Sequence, residues 1–140
     1  MKRYEIKLME GLNINIYLPK YSKLVIPIED IENLTLMKDG FILPKPEVLL
    51  ILKIAEYLDN QNNIIGTESA INIASLVLFA NCDFNLFKEL IDKYKLRGYI
   101  KLLFLIIEKF DRSLIKYLDL NENEFAKLRK KYIDEIRKIL

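Results

Sequence analysis

Apolar and polar residues alternate at the start of the chain, with Tyr4, Ile6 and Leu8 set against Arg3, Glu5 and Lys7. The alternation resumes after Glu10-Gly11, where Leu12, Ile14, Ile16 and Leu18 interleave with Asn13, Asn15 and Tyr17. A period of two with one apolar face predicts two half-buried strands, paired through a tight turn at Gly11 and closed by Pro19. A shorter apolar segment over residues 23–28 leads into the acidic stretch Glu29, Asp30, Ile31 and Glu32, which suits a helical turn. Residues 34–37 and 41–43 flank Asp39-Gly40, a dipeptide that tolerates the positive backbone angles of a two-residue hairpin, so a small second hairpin is expected there.

From Pro44 onward the period changes. Pro46 fits the first turn of a helix, where a missing amide proton costs nothing, and residues 48–58 are apolar nearly all round, the mark of a central helix. Residues 59–66 read as a polar loop, and Thr67 with Glu68 opens a helix through Ile71, Ile73, Leu76 and Phe79 that ends near Asn81. Asp83 caps the next helix, which carries Phe84, Phe87, Leu90 and Ile91. Gly98 separates it from an apolar helix over residues 99–110, and residues 113–118 read as another, short one. The last helix starts at the cap Asn121, with Glu124 three residues on and Phe125, Leu128, Tyr132, Ile136 and Ile139 in one stripe. Strands followed by helices predict an α+β fold: a small, mostly antiparallel sheet near the N-terminus, then a helical bundle. One domain over residues 1–140 is expected, with a strand-rich part over 1–43 and a helical part over 44–140.

Composition narrows the chemistry more than the fold. The 140 residues are 51% hydrophobic and 30% charged, a globular balance, and the net charge of +2 is too small to attract nucleic acid or membrane through its field alone. No apolar run approaches the roughly 18 residues of a spanning helix. Cys82 is the single cysteine, and the first residues lack the order of a signal peptide, so the expected compartment is the cytoplasm. There is no histidine, which removes histidine-based triads, histidine general bases and most zinc sites. Glu29, Asp30 and Glu32 lack the ordered alternation of a calcium loop, and no carboxylate pair has a spacing that compels catalysis. No catalytic residue, metal site or cofactor is therefore assigned.

The segments GLNINIYLPKYS at 11–22, IPIED at 26–30, GFILPKPEVLLILKIAEYLD at 40–59 and AINIASLVLF at 70–79 resemble the C-terminal half of archaeal nucleotidyltransferase-like proteins. The tail IKYLDLNENEFAKLRKKYIDEI at 115–136 is similar to the end of that family. The resemblance implies a domain without its catalytic half. The family's Gly-Ser turn, which holds the nucleotide phosphates, and its metal-binding aspartates lie upstream of the matched segments and have no counterpart here. A further acidic position of the family falls at Asn15, a neutral amide, and its Lys-Asp and Asp-Ile pattern before Ser-Leu is replaced by Glu68, Ser69 and Asn72. Mg enters only if a catalytic partner chain supplies the aspartates.

Three residues are nucleotide-binding candidates under that resemblance. Lys53 either contacts a phosphate near the mouth of a cleft or packs its stem while its amine reaches water. Asn13 and Asn15 either face an old active-site surface or simply lie on the outer face of a strand. Lys127, Arg129, Lys130 and Lys131 interleave with acids, as the solvated side of an amphipathic helix does, and Tyr94, Tyr99 and Phe104 sit at core spacings. Cys82 at a helix start has a position that lowers a thiol pKa but no basic partner in sequence. Two functions follow: a noncatalytic partner or scaffold, one half of a split nucleotidyltransferase, or a self-associating interaction protein. In either case the edge of the first hairpin is the expected joining surface, to a separate catalytic chain or to a second copy.

Overall fold

The computed structural model describes residues 2–9, 12–18 and 25–140, the first two stretches at the level of the backbone. The fold is α+β. Strands β1 (Lys2–Met9) and β2 (Leu12–Leu18) pair antiparallel, with Glu5 opposite Asn15, Lys7 opposite Asn13 and a register shift between Lys7 and Met9. The turn expected at Gly11 and the strand end expected at Pro19 lie outside the described residues.

Helix α1 (Ile28–Asn33) follows Pro27, and strands β3 (Thr35–Lys38) and β4 (Phe41–Pro44) form a second, separate two-stranded sheet. Its turn is made by Asp39 at φ 51° and Gly40 at φ 82°. Both lie in the left-handed region that a tight hairpin demands, which is why Asp-Gly was legible as a turn. β1 runs beside α1 and β4, so the two hairpins and α1 are neighbours.

Five helices complete the chain: α2 (Pro46–Asp59), α3 (Ile64–Phe79), α4 (Phe84–Lys93), α5 (Tyr99–Leu118) and α6 (Glu122–Ile139). α2 buries Val48, Leu50, Ile51 and Ile54 completely, and packs on α3, α4 and α5. It shares the centre with α3, which touches α2, α5 and α6 and buries the small residues Gly66, Ala70 and Ala74 at a spacing of one helical turn. Small residues in a row let helices approach closely. One continuous cluster of buried side chains extends from Ile26 to Ile139, each large aliphatic member contributing about 1.5–3 kcal/mol on leaving water. Edge-on aromatic pairs, Tyr57 with Phe110 and Phe84 with Tyr132, join helices distant in sequence. Among the described residues no helix is long and apolar enough to cross a membrane.

Two boundaries differ from expectation. α3 begins at Ile64, not Thr67, because the Asn63 side chain accepts hydrogen bonds from the amides of Ile65 and Gly66. Residues 99–118 form one helix where two were expected. The run Asp111-Arg112-Ser113 looks like a break, yet Asp111 is only 2% exposed and its carboxylate is paired with Arg129 of α6. Leu114, fully buried, continues the stripe of Leu103 and Ile107 through that point. The caps at Asp83 and Asn121 are as expected, each side chain accepting from the two amides that follow at 2.9 and 3.2 Å.

Candidate functional site

Lys53 and Glu56 are one turn apart on α2, and the lysine Nζ lies 3.0 Å from Oε2 of Glu56. The other carboxylate oxygen, Oε1, accepts a hydrogen bond from the Ser69 hydroxyl of α3 at 2.8 Å. Ser69 is buried, while the Lys53 side chain is one third exposed, at 33%. Below this group Asn60 donates to the Glu56 carbonyl at 2.8 Å, and Asn63 donates to the Asn60 side-chain oxygen at 3.2 Å. Among the described residues every buried side-chain polar atom has a partner. The lysine is thus half-buried and its charge is directed at an internal carboxylate. Lys53, Glu56 and Ser69 meet because α2 and α3 pack as a hairpin; sequence reasoning singled out Lys53 but missed Glu56, although the three-residue spacing is a known pairing distance on a helix.

Asn13 and Asn15 lie on β2 opposite Lys7 and Glu5. Their side chains are outside the described residues, so the structure brings neither into a site with Lys53. Glu68 and Asn72, the other polar positions of the α3 segment, are exposed.

A second polar group surrounds the start of α4. Glu47, in the first turn of α2, is 5% exposed, and its Oε2 accepts from the backbone amide of Asp83 at 3.3 Å. Burial pushes the Glu47 carboxyl above its ordinary value, with the hydrogen bond from the Asp83 amide opposing. Cys82 is buried, and its thiol donates to the Leu76 carbonyl. Burial, helped by the charge of Glu47, pushes the thiol up to about 12. The helix start does not lower the thiol pKa, because the carboxylate of Asp83 already occupies the amides at the end of α4. A cleft of about 390 Å3 beside these residues is lined by Asp83, Asn85, Glu135 and Lys138.

The third group is the Asp111–Arg129 pair at the base of a groove of about 910 Å3 between α5 and α6. Arg129 therefore serves the interior, whereas Lys127, Lys130 and Lys131 are exposed. Of the aromatic candidates, Tyr94, Tyr99 and Phe104 pack against the core. The Tyr94 hydroxyl donates to Asp30 at 2.8 Å, and burial together with that carboxylate pushes it up to about 12. Asp30 is thereby committed to α4. Among the described residues no three potential ligands converge on a point where a metal ion would sit.

No protein-family model, no curated protein and no solved structure matches the chain.

Proposed function

We propose that this chain is a noncatalytic nucleotidyltransferase-like domain that acts as a partner or scaffold, one half of a split enzyme whose other chain supplies the Gly-Ser turn and the aspartates that hold Mg. The nucleotidyltransferase origin rests on the sequence resemblance. The observation that carries the noncatalytic part is the closed Lys53–Glu56–Ser69 group. A lysine that holds a triphosphate must present its charge to the ligand. Here Glu56 neutralises it within the fold, and the α2–α3 pair gains rigidity instead. What remains for function is surface, including Met37 and Phe41, which are 73% and 57% exposed on the β3–β4 hairpin.

Calorimetric titration of the purified chain with ATP and magnesium, combined with light scattering, tests this reading. The expected result is no heat of binding, with Lys53→Ala behaving as the parent does. Heat that is lost in Lys53→Ala would overturn the noncatalytic assignment and restore a nucleotide site at α2. A mass of two chains would replace the split enzyme with self-association.

A further inference from the structure

The outward positions of α5 carry an uneven charge. Lys101, Leu105, Lys109, Arg112 and Lys116 are all exposed, and their spacings of three and four residues place them in one stripe along the helix. With 1.5 Å of rise per residue that stripe is about 22 Å long. Glu108 is the one carboxylate within it. Among the described residues the salt bridges are Lys53–Glu56 and Asp111–Arg129, so none of these four cations is matched there by a carboxylate.

The C-terminal end of the stripe opens into the α5–α6 groove. Arg112 and Lys116 line one wall, and Arg129 lies opposite. Ile115 and Phe125 make an apolar floor, while Glu108 and Glu122 bound the groove. Asp111 at its base already holds Arg129, which reduces its repulsion of an incoming anion.

We propose that the α5 stripe and the α5–α6 groove are the docking surface for an acidic segment of a partner protein, one that places an apolar side chain in the groove and carboxylates along the stripe. This rests on the reading of the chain as a partner domain and gives that partner a chemistry. Four cations against one anion call for a polyanion. A protein segment fits better than nucleic acid for two reasons. Leu105, 50% exposed in the middle of the stripe, and the floor of Ile115 and Phe125 reward apolar side chains that a phosphate backbone lacks. Glu108 interrupts the row where phosphates would repeat, and the exposed Tyr117 lies about a third of a turn from Leu105, too far round to stack bases over the stripe.

The test is fluorescence anisotropy of labelled poly-L-glutamate titrated with the full chain at low salt, alongside a labelled oligothymidylate. Arg112→Glu/Lys116→Glu is compared with Lys127→Glu/Lys130→Glu, an equal charge change on the exposed side of α6. The α5 variant is expected to weaken polyglutamate binding roughly tenfold, and the α6 variant less than about twofold. Circular dichroism checks that both fold, and Arg112→Gln/Lys116→Gln replaces the reversal if it does not. Absence of polyglutamate binding, equal losses in both variants, or tighter binding of the oligothymidylate each overturn the proposal. A Lys53-dependent ATP signal would sink the noncatalytic reading without altering the polyglutamate result, so the two failures are distinguishable.

Discussion

Replacing Arg129 with Met removes the cation from Asp111, whose side chain is 3% exposed between α5 and α6. Stripping one member from a fully buried pair costs about 3–5 kcal/mol, because the remaining charge is left without solvent or partner. Arg129 itself is 37% exposed, so water reaches the vacated side, and a cost of about 2–3 kcal/mol is expected. For a chain of this length each kcal/mol lowers Tm by roughly 3 °C, which makes the shift about 6–9 °C. Urea unfolding followed by far-ultraviolet circular dichroism measures the free energy, and a thermal scan measures Tm. Asp111→Asn keeps an acceptor for the Arg129 Nε–H and should cost less than Arg129→Met. Asp111→Leu combined with Arg129→Met should recover most of the loss, since neither charge is then stranded. An Arg129→Met variant within about 0.5 kcal/mol of the parent, or a double variant with additive losses, would refute the argument that this pair holds α5 continuous through residues 111–113.

Two further substitutions probe other joints. Gly66→Ala should destabilise by about 3 kcal/mol despite the better helix propensity of alanine, because its Cβ would lie 1.9 Å from the Asn60 carbonyl oxygen; a variant as stable as the parent would mean the α2–α3 turn yields freely. Glu47 has a folded-state pKa above its ordinary 4.5, so the folded chain binds the proton more tightly, and stability falls as pH rises from 4.5 through the folded value, then levels. Glu47→Gln keeps an acceptor for the Asp83 amide and should remove that slope, whereas Glu47→Ala loses the hydrogen bond and about 1 kcal/mol across the range; urea midpoints against pH decide, and an unchanged slope in Glu47→Gln would assign it to another group.

The elements that were legible in sequence are those whose cause is local. Asp39-Gly40 makes its own turn, Asp83 and Asn121 cap with their own side chains, and Pro46 marks the first turn of α2 without help from elsewhere. The misread places depend on distant partners. Asp111 resembles a helix breaker until Arg129, 18 residues later, neutralises it. The start of α3 was placed at Thr67 because Ile64 and Ile65 after an asparagine run carry no periodic signal, although Asn63 was a competent cap. In the candidate site, Lys53 stood out as an interior charge, but its meaning depended on Glu56 and on Ser69 brought across by α3. Glu47 gave no signal at all, since an acidic residue in the first helical turn normally faces water and interacts with the helix dipole. Its burial follows from where the α3–α4 connection passes.

The connection between α2 and α3 spans only residues 60–63, and the asparagines within it bond to each other and back to α2. Closing so short a loop sacrifices little chain entropy, while the two helices it joins carry much of the core. Refolding is therefore expected to nucleate on this hairpin, with α5 and α6 docking later through contacts distant in sequence. Stopped-flow kinetics would then show Gly66→Ala acting on the refolding rate and Arg129→Met chiefly accelerating unfolding. On that account, the polar group that no longer presents its lysine to a phosphate guides the earliest step of assembly.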